Sequence, residues 1–201
     1  MNAVLYIHGK GGSADESRHY IPLFPDCFVT GLDYRSELPW EAGAEIRAAV
    51  LDLSERYENL TLIANSVGAF FSLYADLDGL VREAYFISPV VDMERLISGM
   101  MARAGVSEAE LCEKGAIRTP EGDLSWEYLS FVRSRPVHWH VPTRILYGGL
   151  DTLTSRESAE EFAERHGASL TVMERGEHWF HTEEQMRFLD AWIRSCAADR
   201  H

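Results

Sequence analysis

Four short stretches of this chain carry side chains able to do chemistry, and each follows an apolar run. In Leu62-Ile63-Ala64-Asn65-Ser66-Val67-Gly68 a strand-like run leads straight into helix-like Ala69-Phe70-Phe71, with Ser66 at the corner. A strand-to-helix turn that sharp brings the two elements close together, so the residues two before and two after the serine must be small. Gly68 meets that requirement and Ala64 nearly does. A serine so placed can also be a plain helix cap. In Tyr6-Ile7-His8-Gly9-Lys10-Gly11-Gly12-Ser13 the glycines let the backbone turn and offer N–H groups to a developing negative charge. This stretch lacks the Gly-Lys-Ser/Thr ending of a phosphate-binding loop and the glycine spacing of a dinucleotide fingerprint. The third stretch, Ile145-Leu146-Tyr147-Gly148-Gly149-Leu150-Asp151, sets an acid just past a Gly-Gly turn. The fourth, Gly176-Glu177-His178-Trp179-Phe180-His181, supplies imidazoles.

Serine, aspartate and histidine in that chain order make a workable acyl-transfer set. A serine hydroxyl is a poor nucleophile at neutral pH, and an adjacent imidazole takes its proton and later returns it to the leaving group. A carboxylate on the far ring nitrogen fixes the tautomer and stabilises the imidazolium. Two N–H groups then hold the oxyanion, and losing one such donor typically costs about 2.7–4 kcal/mol. Two rivals stand beside the main candidates. Asp92, in Ser88-Pro89-Val90-Val91-Asp92, is an alternative acid, and His181 is an alternative base or the start of a final helix. His8 reads as a structural brace for the glycine-rich loop. Lys10 is a solvated cation or an attractor for a substrate carboxylate. His138 and His140 form an H-x-H without an acidic or cysteine partner at ligand spacing, so no metal site is expected.

The elements that must position these residues alternate along the chain. Short apolar runs, Ala3–Ile7, Cys27–Thr30, Leu60–Ala64, Ala84–Ile87, Arg144–Tyr147 and Leu170–Met173, read as strands buried on both faces. Between them lie helical patterns. Ile46, Val50, Leu53 and Tyr57 share one face, as do Met186, Leu189 and Ile193. Ser155 predicts a cap for a helix ending at Gly167, and Thr182 with Gln185 forms a capping-box pattern. Such alternation predicts an α/β fold, a parallel sheet with helices on both faces. The ends of its strands would then bring all four loops to one edge.

Residues 92 to 140 break the pattern and show no convincing strand. Met93, Leu96, Ile97, Met100 and Met101 have helical spacing, and Ser107 with Glu110 forms another capping box. A turn-rich Thr119-Pro120-Glu121-Gly122-Asp123 precedes a helix-like run from Trp126 to Val132. The expectation is a helical insertion. Its methionines are helix-packing residues or the lining of a pocket, where Met adapts to varied apolar shapes. Met93, Ile97, Met100, Met101, Trp126 and Trp179 are the candidates for that lining, suited to a small or medium apolar acyl group.

Composition narrows the rest. The chain has 201 residues, 46% hydrophobic and 25% charged, which fits one globular domain. Its 19 basic and 32 acidic residues give a net charge of −13, and no Lys/Arg block supplies a footprint for nucleic acid or anionic lipid. No apolar run approaches a membrane span, and Ala3–Ile7 is too short for a signal peptide. Three scattered cysteines, Cys27, Cys112 and Cys196, argue against a disulfide framework and suit a cytoplasmic location.

Taken together, the motifs from His8-Gly9 through Ser66 and Asp151 to His178 resemble the α/β-hydrolase superfamily over nearly the whole chain. The resemblance implies a three-layer sandwich around a six-stranded parallel sheet, order 2-1-3-4-5-6, without the two leading strands of fuller members. A helical cap of about 92–140 would cover the catalytic edge. It implies Ser66 as nucleophile, His178 as general base and Asp151 as orienting acid. The oxyanion hole would come from the N–H groups of Val67 and Lys10, with Gly11 as the neighbouring option. The expected activity is cofactor-free hydrolysis of a carboxylic ester or related small-molecule acyl substrate. Thioesterase, peptidase and C–C bond hydrolase chemistry use the same residues, and a silent binding module on this scaffold is the alternative of another class. Oligomeric state is open.

Overall fold

The computed structural model describes residues 1–198. Six strands form one parallel sheet: β1 (Asn2–Ile7), β2 (Cys27–Leu32), β3 (Asn59–Asn65), β4 (Glu83–Ile87), β7 (Thr143–Gly148) and β8 (Ser169–Met173). Their spatial order is β2-β1-β3-β4-β7-β8. In the sheet's own numbering this is 2-1-3-4-5-6, as expected. The expected runs lie inside the observed strands, which extend them by one or two residues. The registers run Ile7 beside Ala64, Ala64 beside Phe86 and Ile87 beside Leu146. The C-terminal ends of β1, β3, β4 and β7 therefore stop close together.

Alternation along the strands divides the core. Val4, Tyr6, Ile63, Tyr85, Ile87 and Leu146 pack with Leu189, Trp192 and Ile193 of α7 (Glu183–Ala198) and with Tyr20 and Leu23 of a 3₁₀ segment, Ala14–Leu23. On the other set, Phe86 packs its ring against Trp139 and against Phe162 of α6 (Arg156–His166). Ile46 and Val50 of α1 (Pro39–Ser54) are wholly buried. The result is a sheet between two helical layers. The edge strand β2 keeps a half-exposed pattern, whereas β1 is buried from Ala3 onward.

Several local expectations are met. Ser155 caps α6, its Oγ accepting from the Ser158 N–H at 3.1 Å, and Gly167 closes that helix in the left-handed conformation. The Gln185 N–H donates to Thr182 Oγ1 at 3.2 Å, so the last box is formed. One helix is shorter than its periodicity suggests. α1 ends at Ser54, and Tyr57 lies beyond it, stacked on Phe28 at 5.3 Å.

The described residues divide into two compact units: Met1–Val91 with the stretch from His138 onward, and Asp92–Val137. The second unit holds α3 (Met93–Ala104), α4 (Glu108–Lys114) and α5 (Trp126–Ser134). It also holds an antiparallel hairpin, β5 (Ala116–Thr119) and β6 (Gly122–Ser125), so the expectation of a purely helical insertion is corrected. The turn-rich Pro120-Glu121 is the hairpin's two-residue connection. Thr119 Oγ1 donates to the Gly122 carbonyl at 2.7 Å across it. Arg133 of α5 holds Glu94 of α3 and Glu108 of α4 at 2.7 and 2.6 Å. None of the three cysteines is in a disulfide, and among the described residues no helix is long and apolar enough to cross a membrane.

Candidate active site

Ser66 sits between β3 and α2 (Val67–Leu73) with φ 52° and ψ −120°. A non-glycine residue in this region costs on the order of 1–3 kcal/mol and persists only where its surroundings hold it. Its surroundings do hold it. The Ser66 N–H donates to the Ile87 carbonyl at 3.0 Å, and the Ser66 carbonyl accepts from the Val90 N–H at 3.1 Å. The exit of β4 thus grips the serine backbone from both sides. That exit turns through Ser88, which is itself at φ 43° and fully buried. The small residue two places on is a spatial necessity. A Cβ on Gly68 would lie 2.4 Å from the His8 carbonyl oxygen and 2.8 Å from that of Ile7. Ala64, two places before, is wholly buried in β3.

The other two loops converge on the same hydroxyl. Ser66 Oγ lies 2.8 Å from His178 Nε2, and His178 Nδ1 lies 2.6 Å from Asp151 Oδ2. Asp151 and His178 meet because their loops are packed backbone to backbone. A Cβ on Gly148 would fall 2.5 Å from the Glu177 carbonyl oxygen, and the Leu150 N–H donates to the Gly176 carbonyl at 2.8 Å.

The Asp151 carboxylate is inaccessible to solvent and fully engaged. Besides His178, it accepts from the N–H of Leu153 at 2.7 Å, the N–H of Thr154 at 3.0 Å and Thr154 Oγ1 at 3.0 Å. Burial on its own would raise its pKa. The His178 hydrogen bond and charge, with the Thr154 and Leu153 N–H groups, outweigh burial and hold it below the ordinary carboxylate value. Sequence reasoning did not give Thr154 a part. The signal was there in the Asp-x-x-Thr spacing, which lets an acid close a turn over the next residues.

The rivals do other work. Asp92 caps α3, its Oδ1 accepting from the Arg95 N–H at 2.9 Å. His181 directs Nδ1 to the Trp179 carbonyl at 2.7 Å and its ring stacks on Trp179 at 4.7 Å; it precedes α7, and its N–H donates to Gln185 Oε1 of that helix at 3.1 Å. Trp179 itself is 69% exposed. His140 pairs Nδ1 with Asp78 Oδ2 at 2.7 Å. Of the candidates for pocket lining in the second unit, Met93, Ile97 and Met101 are buried with Leu111, Leu124 and Leu129. Met100 and Trp126 are half-buried.

The glycine-rich loop after β1 turns tightly. The Gly12 N–H donates to the Gly9 carbonyl at 3.1 Å, with Gly11 at φ 75°, the pattern of a type II turn. This leaves the N–H groups of Lys10 and Gly11 outside the turn's own hydrogen bond. Val67 opens α2, and the first N–H of a helix has no carbonyl one turn earlier within that helix. Lys10's ammonium lies 3.8 Å from Glu37, and both side chains are exposed. Nearby, Tyr6 donates its hydroxyl to Glu16 at 2.5 Å; burial first, then Tyr20 and Glu16, push the Tyr6 hydroxyl far above its usual pKa.

A six-stranded parallel sheet in this order, carrying helices on both faces, is the α/β-hydrolase fold, and this chain has it. No protein-family model matches the sequence, and no curated relative matches it. Solved structures do. The α/β hydrolase domain-containing protein 10 from mouse superposes with a TM-score of 0.76 at 15% identity, covering 99% of this chain and 90% of that one. Est1E from Butyrivibrio proteoclasticus gives 0.77 at 14%, covering 98% and 87%. A serine hydrolase without a lid from Xanthomonas campestris gives 0.66 at 15%, covering 98% and 81%. At these identities the likeness is one of fold.

Proposed function

We propose that this protein is a serine hydrolase that cleaves carboxylic esters or related acyl substrates through an acyl-enzyme on Ser66. The observation that carries this reading is the unbroken run of hydrogen bonds from Ser66 Oγ through His178 to the buried Asp151 carboxylate. In the first half-reaction His178 Nε2 takes the Ser66 proton as Oγ attacks the acyl carbon. The Lys10 and Val67 N–H groups, with Gly11 beside them, receive the charge on the carbonyl oxygen. The imidazolium, stabilised by Asp151, then protonates the leaving alcohol. In the second half-reaction a water attacks the acyl group, gives its proton to His178 and releases the acid, restoring Ser66.

Leu150 and Leu153 flank Asp151 in the chain and Trp179 follows His178, and all three are exposed at 57%, 47% and 69%. Large apolar side chains left in solvent beside the acid and base suit a substrate with an apolar substituent. The test is a panel of p-nitrophenyl esters of graded chain length, assayed with wild type and Ser66→Ala. Turnover of at least one ester by wild type and none by the variant supports the reading. A panel hydrolysed equally by both would remove it.

A further inference from the structure

We propose that Tyr34 is a positioning residue for the Gly9–Lys10 peptide, acting through His8, so that it aims the N–H that receives the oxyanion. This rests on the serine-hydrolase reading above. The reasoning begins with the geometry of one peptide unit. In a trans peptide the Gly9 carbonyl and the Lys10 N–H point in opposite directions. Whatever fixes the carbonyl therefore aims the N–H. The Gly9 oxygen accepts from two donors, the Gly12 N–H at 3.1 Å and His8 Nδ1 at 2.7 Å. A carbonyl oxygen only accepts, so the His8 ring carries its hydrogen on Nδ1 in this contact. The peptide lies beside the nucleophile: a Cβ on Gly9 would be 3.1 Å from Ser66 Cβ.

The orientation of the His8 ring is thus part of the site, and Tyr34 holds it, with Asp33 Oδ1 3.9 Å from the ring's Nε2. The two rings are stacked, with centroids 4.2 Å apart and planes 11° from parallel. The Tyr34 hydroxyl donates to the His8 carbonyl at 3.0 Å, so the same residue is held by its ring and by its backbone. Tyr34 also sets its edge against Phe71 of α2, at 5.3 Å and 85°. α2 is the helix whose first N–H is that of Val67. One side chain therefore touches both elements that carry the expected oxyanion donors. The preceding residue continues the brace, since the Ala14 N–H donates to Asp33 at 2.6 Å where the loop ends.

The test compares wild type, Tyr34→Phe and Tyr34→Leu well below their melting temperatures. Two quantities are read: the rate at which a fluorophosphonate probe labels Ser66, and kcat and KM for p-nitrophenyl butyrate. Removing an oxyanion donor outright costs about 10²–10³-fold in kcat, and misaiming one costs less. The expected losses are roughly 3–10-fold for Tyr34→Phe and 10–100-fold for Tyr34→Leu. They fall on kcat and the labelling rate together, with KM within about twofold, the mark of an interaction made in the transition state. Tyr34→Phe keeps the ring and its packing, so it carries the decision. If it retains wild-type kcat and labelling rate, or loses only KM, the inference is overturned whatever Tyr34→Leu does. Wild type that does not label at Ser66 overturns the hydrolase reading, and this inference with it.

Discussion

Ser66, His178 and Asp151 are side chains of modest reactivity alone, and their chemistry comes from contact. Replacing Ser66 with Ala removes the nucleophile from a backbone held by Ile87 and Val90. Turnover should fall on the order of 10⁶-fold, with a melting temperature close to wild type by calorimetry. Asp151→Asn should lower kcat on the order of 10⁴-fold, because an amide no longer enforces the working His178 tautomer. Asp92→Asn should keep near-wild-type activity, since Asn caps helices as well as Asp; the reverse pattern would move the acid to Asp92. Asp151 also links stability to pH. Its pKa in the folded state lies below the ordinary 3.8, so its stabilising effect is fully present above that value and is lost as pH falls through the folded one. Between about pH 5 and about pH 2, wild type should lose melting temperature more steeply than Asp151→Asn. Parallel curves would mean the carboxylate is not stabilised by folding. The three residues the structure joins were legible because each follows a strand and a small-residue turn. Thr154 was signalled only by its Asp-x-x-Thr spacing, and Tyr34 by nothing local, because its partners are a backbone carbonyl and rings distant in the chain.

At the scale of elements, the six sheet strands could be read because burial on two faces leaves nearly unbroken apolar runs such as Val4-Leu5-Tyr6-Ile7. The hairpin β5–β6 could not. Each strand has four residues, and of the eight only Leu124 is buried, too little for a period to emerge. The 3₁₀ segment was hidden in another way. It is rich in polar residues, contains Pro22 and buries only Ser17, Tyr20 and Leu23. A demanding element contact beside the site is that of α2 on the end of β1. Gly68→Ala would drive a methyl group into the carbonyl oxygens of His8 and Ile7. Overpacking of this kind typically costs about 1–3 kcal/mol, and here it also pushes α2 away from the Gly9–Lys10 loop. Denaturant unfolding should show the lost stability, with kcat lowered at temperatures where the variant is folded. An unchanged midpoint would contradict the close packing.

At the scale of the whole molecule, His178, Leu153 and Thr154, which hold the Ser66 hydroxyl and the Asp151 carboxylate, belong to the sheet-bearing unit, which has its own buried core. The second unit, Asp92–Val137, has buried apolar residues of its own, among them Met93, Ile97, Leu111 and Leu129. Replacing residues 95–135 with a short Gly/Ser linker should leave a cooperative unfolding transition. Loss of the transition would show that the sheet depends on the insertion. The most direct test of the central claim is intact-mass and peptide analysis after exposure to a fluorophosphonate probe. The account predicts one adduct on wild type, on the peptide containing Ser66, and none on Ser66→Ala. A folded wild type that stays unmodified, or an adduct that survives in Ser66→Ala, would contradict it.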